Sequence, residues 1–431
     1  MLSNLESQSS NSATLNLDQP ELLAPVSTQA SISEYRRFKR SRLTWLAYLL
    51  IGLYSYLLNS FGPLMPFLRD ELKLSATEVS LHFSGFALGM IGAGLLGPVL
   101  TNRWGRKPIA LVGGTGMVLA TIPLIFGHAA ILTIGSAFFT GLLGTLLFVT
   151  LPAVLAEEHG EGRVIALTEA NVSGSLFATI VPVAIGIASG FGSWGWRGAI
   201  GMAGLVLLVL VGWLSKTHLP APPSRLETTG SKLYALKPSP LPKGKSRLPA
   251  RYWLCWGVIV LAVSLEFSMI SWSSPFLETV RGFSKGEAAS AVSLFLIAML
   301  AGRMAGSRLL SRWSARYLIP VEMVLTLVGF GIFWLSSLPF LSLSGLVICG
   351  LGVANLYPLS LDLALSASKN QFDKASAAAS LASGVAIFTA PVVLGFLADH
   401  FALTTAYSVV LLFWLIMVVL LGVVYRRLKI V

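Results

Sequence analysis

The residues of this chain that can exchange a proton or hold a polar solute are few, and they fall where water should be scarce. Glu266 stands in "VSLEFSMISW", inside an apolar stretch from about Trp253 to Phe276 that carries no basic residue. A charged side chain at the centre of a bilayer costs roughly 2.5–3.5 kcal/mol on insertion scales, so a carboxyl there needs a partner or a task. The task that suits it is titration: a carboxyl reached by water from alternate sides can carry a proton. Glu169 is the second proton-coupling candidate, although its place a turn or two into an apolar run, near Arg163, equally suits a peripheral ion pair. In "GVANLYPLSLD", Asn355 and Asp362 lie two helical turns apart and return to one face at about 100° per residue. Tyr56 and Asn59 share a face with Pro63. With Trp272, these four are candidates to hydrogen-bond or stack on a solute. Asp362 is also expected to pair with Arg303, because buried charges are rarely left alone. His82 and His128 lie toward the side away from the basic clusters, where a histidine can respond to pH. No phosphate loop, zinc spacing or nucleophile elbow is present in the sequence, so no catalytic residue, cofactor or metal is expected.

The elements that must position these residues are legible from composition. The chain has 431 residues, is 55% hydrophobic and 12% charged, against about 25% charged in soluble domains. Twelve apolar runs follow one another, at 43–68, 77–101, 108–127, 131–156, 164–190, 194–215, 251–277, 286–310, 316–336, 340–366, 375–398 and 403–425. Each is near or above the roughly 20 residues that cross hydrocarbon as a helix. The expected fold is therefore an all-α membrane protein of twelve transmembrane helices.

The formal charge of +12 does not point to nucleic acid, because its distribution follows the spans. Arg36, Arg37, Lys39, Arg40 and Arg42 precede the first run; Arg103, Arg106 and Lys107 follow the second; Lys243, Lys245, Arg247 and Arg251 precede the seventh; Arg426, Arg427 and Lys429 end the chain. Alternating spans put all of these on one side, which the positive-inside rule makes cytoplasmic, with both termini. The expected location is a bacterial cytoplasmic membrane, in contact with its lipids. Cys255 and Cys349 give no disulfide or metal framework.

The chain also repeats itself at a constant offset. "PFL" at 66–68 recurs at 275–277, Ser75 and Glu78 recur as Ser284 and Glu287, Gly97 and Arg103 as Gly306 and Arg312, and Pro182 and Gly186 as Pro391 and Gly395. This is a duplicated six-helix unit, and an even number of spans makes the two copies parallel repeats. The expected domains are a disordered cytoplasmic tail at 1–41, a six-helix bundle at 42–215, a Pro-rich cytoplasmic linker at 216–250 and a second bundle at 251–428. Repeated positions read as scaffold. Glu266 falls opposite Leu57 and Glu169 opposite Ala378, so neither acid belongs to the duplicated framework.

The twelve spans, the duplication and the loop "PVLTNRWGRKP" at 98–108 together resemble the major facilitator superfamily, whose loop between the second and third spans has the pattern G-x-x-x-D-R-x-G-R-[KR]. Arg103, Gly105, Arg106 and Lys107 match it, while Pro98 and Asn102 stand at the first Gly and the Asp positions. The resemblance implies a conformational latch at Asn102, Arg103, Gly105, Arg106 and Lys107, short of its usual acid. It also implies that the first, fourth, seventh and tenth spans line a midplane cavity, and that a monomer moves a small-molecule substrate by alternating access, coupled to a proton or another ion. Two patterns of proton-driven drug exporters are missing: Ala137 and Thr140 stand where R-x-x-Q-G would have Arg and Gln, and the fifth span keeps only Pro182 and Gly186 of its Gly-Pro motif. Symport and efflux of a drug or metabolite both stay open. With one acid and no mid-depth base expected in the cavity, a neutral, cationic or modestly polar solute fits better than a multiply charged anion. A membrane-embedded enzyme would need convergent catalytic groups and a sensor would need a soluble output domain; the sequence offers neither.

Overall fold

Where residues run apolar for twenty positions or more, a backbone in hydrocarbon can satisfy its N–H and C=O groups only within the segment, and the chain answers with helices. A computed structural model of the chain describes residues 39–192, 194–219, 248–309, 315–368 and 371–428. The expected tail to residue 38, and 220–247 of the expected linker, lie outside the described residues. In order the helices are α1 (Arg42–Leu72), α2 (Ala76–Trp104), α3 (Arg106–Phe126), α4 (Ala130–His159), α5 (Arg163–Ala188), α6 (Gly195–Lys216), α7 (Ala250–Arg281), α8 (Lys285–Leu309), α9 (Ala315–Leu335), α10 (Pro339–Val353), α11 (Leu356–Ser366), α12 (Phe372–His400), α13 (Leu403–Ala406) and α14 (Ser408–Leu428). They make twelve segments long and apolar enough to cross a membrane, α10 with α11 and α13 with α14 each counting as one. α1 and α7 are the most enclosed of the twelve. Large apolar side chains such as Leu95, Ile131 and Phe340 are exposed, as lipid-facing positions require.

The repeated residues have identifiable work. Ser75 and Glu78 form a capping box at the start of α2: the Glu78 N–H donates to Ser75 Oγ at 3.1 Å and the Ser75 N–H to Glu78 Oε2 at 2.8 Å. Ser284 and Glu287 repeat it at the start of α8, at 3.3 and 3.0 Å. Each box satisfies two helix-end donors, which is why both copies keep the pair.

Gly186 and Gly395 mark two matching places where the halves approach closely. A Cβ on Gly186 of α5 would fall 1.9 Å from Ser290 Oγ and 2.5 Å from the Gly286 carbonyl of α8. A Cβ on Gly395 of α12 would fall 2.2 Å from Ser80 Oγ and 2.6 Å from the Ala76 carbonyl of α2. Only glycine permits either approach. Around these crossings Ser80 donates to the Pro391 carbonyl (2.7 Å), Ser84 to the Phe388 carbonyl (2.8 Å) and Ser293 to the Thr179 carbonyl (3.0 Å). Farther out, the Asp399 carboxylate accepts from the backbone N–H groups of Ala76 and Thr77 at 2.7 and 2.8 Å, capping α2 from the other half. Asp70 pairs with Lys285 beside it. All these contacts lie from mid-depth toward the end opposite the basic clusters, so the two bundles are closed there.

The tenth span breaks between α10 and α11, which periodicity did not anticipate. Pro358 has no N–H to return to the Ala354 carbonyl one turn back, so the helical ladder loses a bond there. It resumes with the Leu359 N–H on the Asn355 carbonyl at 3.0 Å. What fills the gap belongs to the site.

Candidate functional site

Between the halves lies a cavity of about 410 Å³. Its polar lining is Ser55 and Asn59 from α1, Asn171 and Ser175 from α5, Glu266 from α7, Arg303 from α8, Tyr357 from α11 and Ser383 from α12. Phe148, Phe267 and Met299 are among its apolar walls. With the opposite end closed by the glycine crossings, and with Asn171 exposed near the start of α5, the cavity opens toward the basic end.

Glu266 reaches this wall, and it is not without a base. Arg303 Nη2 lies 3.6 Å from Glu266 Oε1, with the two side chains 39% and 13% exposed. The expected Asp362–Arg303 pair is not what forms; Asp362 is exposed on α11 and does not line the cavity. The reason lies in the helix break. Arg303 Nε donates to the Ala354 carbonyl at 3.2 Å, the acceptor that Pro358 leaves without a helical donor. Between the residues next to these two in the sequence, the Asn355 amide donates to the Gly302 carbonyl at 3.1 Å. These two bonds fix α8 to the break and aim the outer part of the guanidinium at Glu266. At 3.6 Å the charges attract without a hydrogen bond between them. The expectation of a cavity with an acid and no base is therefore corrected: Arg303 lines it beside Glu266.

The other candidates scatter. Asn59 lines the cavity, with its amide donating to the Ser55 carbonyl at 2.9 Å. Asn355 does not: it is 7% exposed, and its amide also donates to Glu322 Oε1 at 2.7 Å. Trp272 is 1% exposed and its indole N–H donates to the Pro391 carbonyl at 3.3 Å, so it packs α7 against α12 rather than facing a solute. Tyr56 donates to the Ala199 carbonyl at 3.1 Å and borders a separate apolar groove among α1, α5 and α6. Glu169 accepts from Arg40 at 2.5 and 2.9 Å and from the Tyr48 hydroxyl at 3.1 Å. Its partner is thus Arg40 rather than Arg163, and it stands at the basic end away from the cavity lining. His82 is fully buried, its ring bridging the Glu78 carbonyl and Thr133 Oγ1, which ties α2 to α4.

At the loop between α2 and α3, Asn102 and Arg103 are exposed, and Lys107 is half-buried. Gly105 alone joins the helices, at φ +86°. Arg106 forms a two-pronged pair with Glu157 of α4 at 2.5 and 2.8 Å, which holds the loop to its own half.

Three polar features of the structure escaped sequence reasoning. Glu322 of α9 is 3% exposed, and its second oxygen has no described partner; an acid inside the ninth apolar run was the signal. Asn171 was available as a polar residue in the fifth run. Arg303 as the partner of Glu266 needed the fold.

The chain matches the family model described as Major Facilitator Superfamily over residues 44–391. It is 26% identical to an uncharacterized MFS-type transporter of Yersinia pestis over 86% of this chain and 91% of that protein. It is 24% identical to the multidrug resistance protein MdtL of Escherichia coli over 59% of this chain and 63% of that one. Among solved structures, a bacterial homologue of the human lysosomal transporter Spinster, inward-facing and unoccupied, superposes with a TM-score of 0.70 at 14% identity, covering 89% of this chain and 95% of that one. A D-xylose–proton symporter superposes with a TM-score of 0.65 at 14% identity, covering 88% and 96%. Twelve apolar helices in duplicated halves about a cavity agree with the family match, and the chain belongs to the major facilitator superfamily as an integral multi-pass membrane protein.

Proposed function

We propose that this protein carries a small solute across the bacterial cytoplasmic membrane by rocking its two bundles about the cavity, driven by a proton that Glu266 takes up and releases. The observation that carries this reading is the Glu266–Arg303 pair in the cavity wall. The charges are close enough to attract, too far apart to be locked by a hydrogen bond, and within reach of water. A carboxyl in that setting is open to exchange of its partner for a proton, as ionisable groups inside membrane transporters commonly are. The basic clusters support cytoplasmic termini and a cytoplasmic linker joining the bundles. The closed glycine crossings at the opposite end support reading the described conformation as the one open to the cytoplasm.

The test is transport in reconstituted vesicles under an imposed pH gradient. Glu266→Gln should abolish gradient-driven accumulation while leaving gradient-independent exchange of the same solute across the bilayer. Accumulation equal to that of the parent, at equal incorporation, would remove Glu266 as the coupling group.

A further inference from the structure

We infer that the solute is a small organic monoanion, a carboxylate, which Arg303 binds in place of Glu266 while Glu266 takes the proton that travels with it. The inference rests on the proton-coupled reading above and gives it a substrate class. Of the two paired charges, the cation is the one offered to the cavity: the Arg303 side chain is 39% exposed and that of Glu266 13%. Arg303 is also the anchored member, with Nε committed to the Ala354 carbonyl that Pro358 frees. A cationic solute would have to displace this tethered guanidinium to reach the more buried acid. An anion has only to accept from the guanidinium's outer N–H groups, which match a carboxylate in pairs.

Charge accounting then brings in the proton. Empty, the pair sums to zero. A bound monoanion leaves Arg303 neutralised and Glu266 an unpaired charge in a largely apolar wall, which is costly; one proton on Glu266 returns the sum to zero. Anion and proton therefore enter and leave together, with no net charge moved. A dianion would leave a charge uncompensated. The charged and titratable groups lining the cavity with Glu266 are Arg303 on α8 and Tyr357 on α11. α1 and α12 contribute Ser55, Asn59 and Ser383, while α10, α13 and α14, also packed on α7, contribute nothing to the lining among the described residues. Asn59, Asn171, Ser175 and Tyr357 offer hydrogen bonds for the rest of the molecule, and about 410 Å³ of space lies within the range that holds compact organic ligands.

The experiment uses purified full-length protein in detergent and reads the rise in unfolding midpoint with ligand concentration as an apparent Kd. The probes are matched sets on one skeleton, benzoate, benzamide and benzylamine, with lactate, hexanoate, phosphate and sulfate added. At least one carboxylate should bind, at least tenfold more tightly than its amide or amine, with affinity rising toward tenfold for each unit fall in pH as one proton is taken up per anion. Arg303→Gln should weaken that binding more than tenfold and Arg303→Lys several-fold. Glu266→Gln should keep the binding and flatten its pH dependence. Because the wild-type series stands alone, a variant that does not fold leaves the proposal exposed. It is overturned if the amine or amide binds as well as the acid, if phosphate or sulfate binds more tightly, or if no carboxylate binds. It is also overturned if Arg303→Gln binds within twofold of the parent. Carboxylate binding that needs Arg303 but is flat with pH overturns the proton exchange, and with it the role of Glu266. Amine binding whose pH dependence requires Glu266 overturns the substrate class alone.

Discussion

The crossing of α2 and α12 can be loosened by a single methyl group. In Gly395→Ala the new Cβ would meet Ser80 Oγ at 2.2 Å and the Ala76 carbonyl at 2.6 Å. The hydroxyl can swing away only by leaving the Pro391 carbonyl, to which it donates at 2.7 Å, at a cost of about 0.5–1.5 kcal/mol. The backbone carbonyl cannot swing, and overpacking of this kind costs about 1–3 kcal/mol. Both costs fall on the conformation closed at this end, so about 2 kcal/mol of bias moves the balance between conformations roughly 30-fold away from it. The readout is alkylation of a cysteine placed at Asn171, which is exposed in the cavity. Cys255 and Cys349 are each 1% exposed and contribute little background. If the parent rests about 10:1 in favour of the described conformation, labelling by a membrane-impermeant reagent supplied from the side of the basic clusters should slow about fourfold. Gly186→Ala, at the matching crossing, should act in the same direction. Unchanged labelling in a folded Gly395→Ala protein would show that this crossing does not open during the cycle, and the rocking motion would need another hinge.

Three further outcomes follow from the site. Asn355→Ala strands Glu322 Oε1 in a dry setting and should lower stability by about 2–3 kcal/mol, whereas pairing it with Glu322→Leu should recover most of the loss; thermal unfolding in detergent measures both. Pro358→Ala restores an N–H for the Ala354 carbonyl and competes with Arg303, so thermal unfolding should show equal or higher stability while the solute affinity of the site falls several-fold in vesicle uptake. Glu169→Gln removes an ion pair whose side chains are 41% and 28% exposed. Exposed pairs of this kind add little to stability, so uptake driven by a pH gradient should stay within twofold of the parent, and a larger loss would return Glu169 to the coupling path.

Residue order alone settles the class and plan of this protein, because lipid imposes a one-dimensional rule. A backbone in hydrocarbon must close its own hydrogen bonds, so apolar length reads directly as helices and their count. Basic residues mark one side, and the matches from Ser75/Ser284 to Gly186/Gly395 reveal the duplication. Even the capping boxes were present as repeated Ser and Glu before their geometry was known. The partners of the polar residues were not legible in the same way, since a helix pattern says which face a residue occupies and not what stands opposite. Asn355 and Asp362 share a periodic face on paper, yet Pro358 breaks the span between them; one is buried against Glu322 and the other is left exposed. That break frees the Ala354 carbonyl, the carbonyl anchors Arg303, and Arg303 meets Glu266 rather than Asp362. Pairing across helices distant in sequence depends on crossing angles and depth, which close packing sets and no local pattern records.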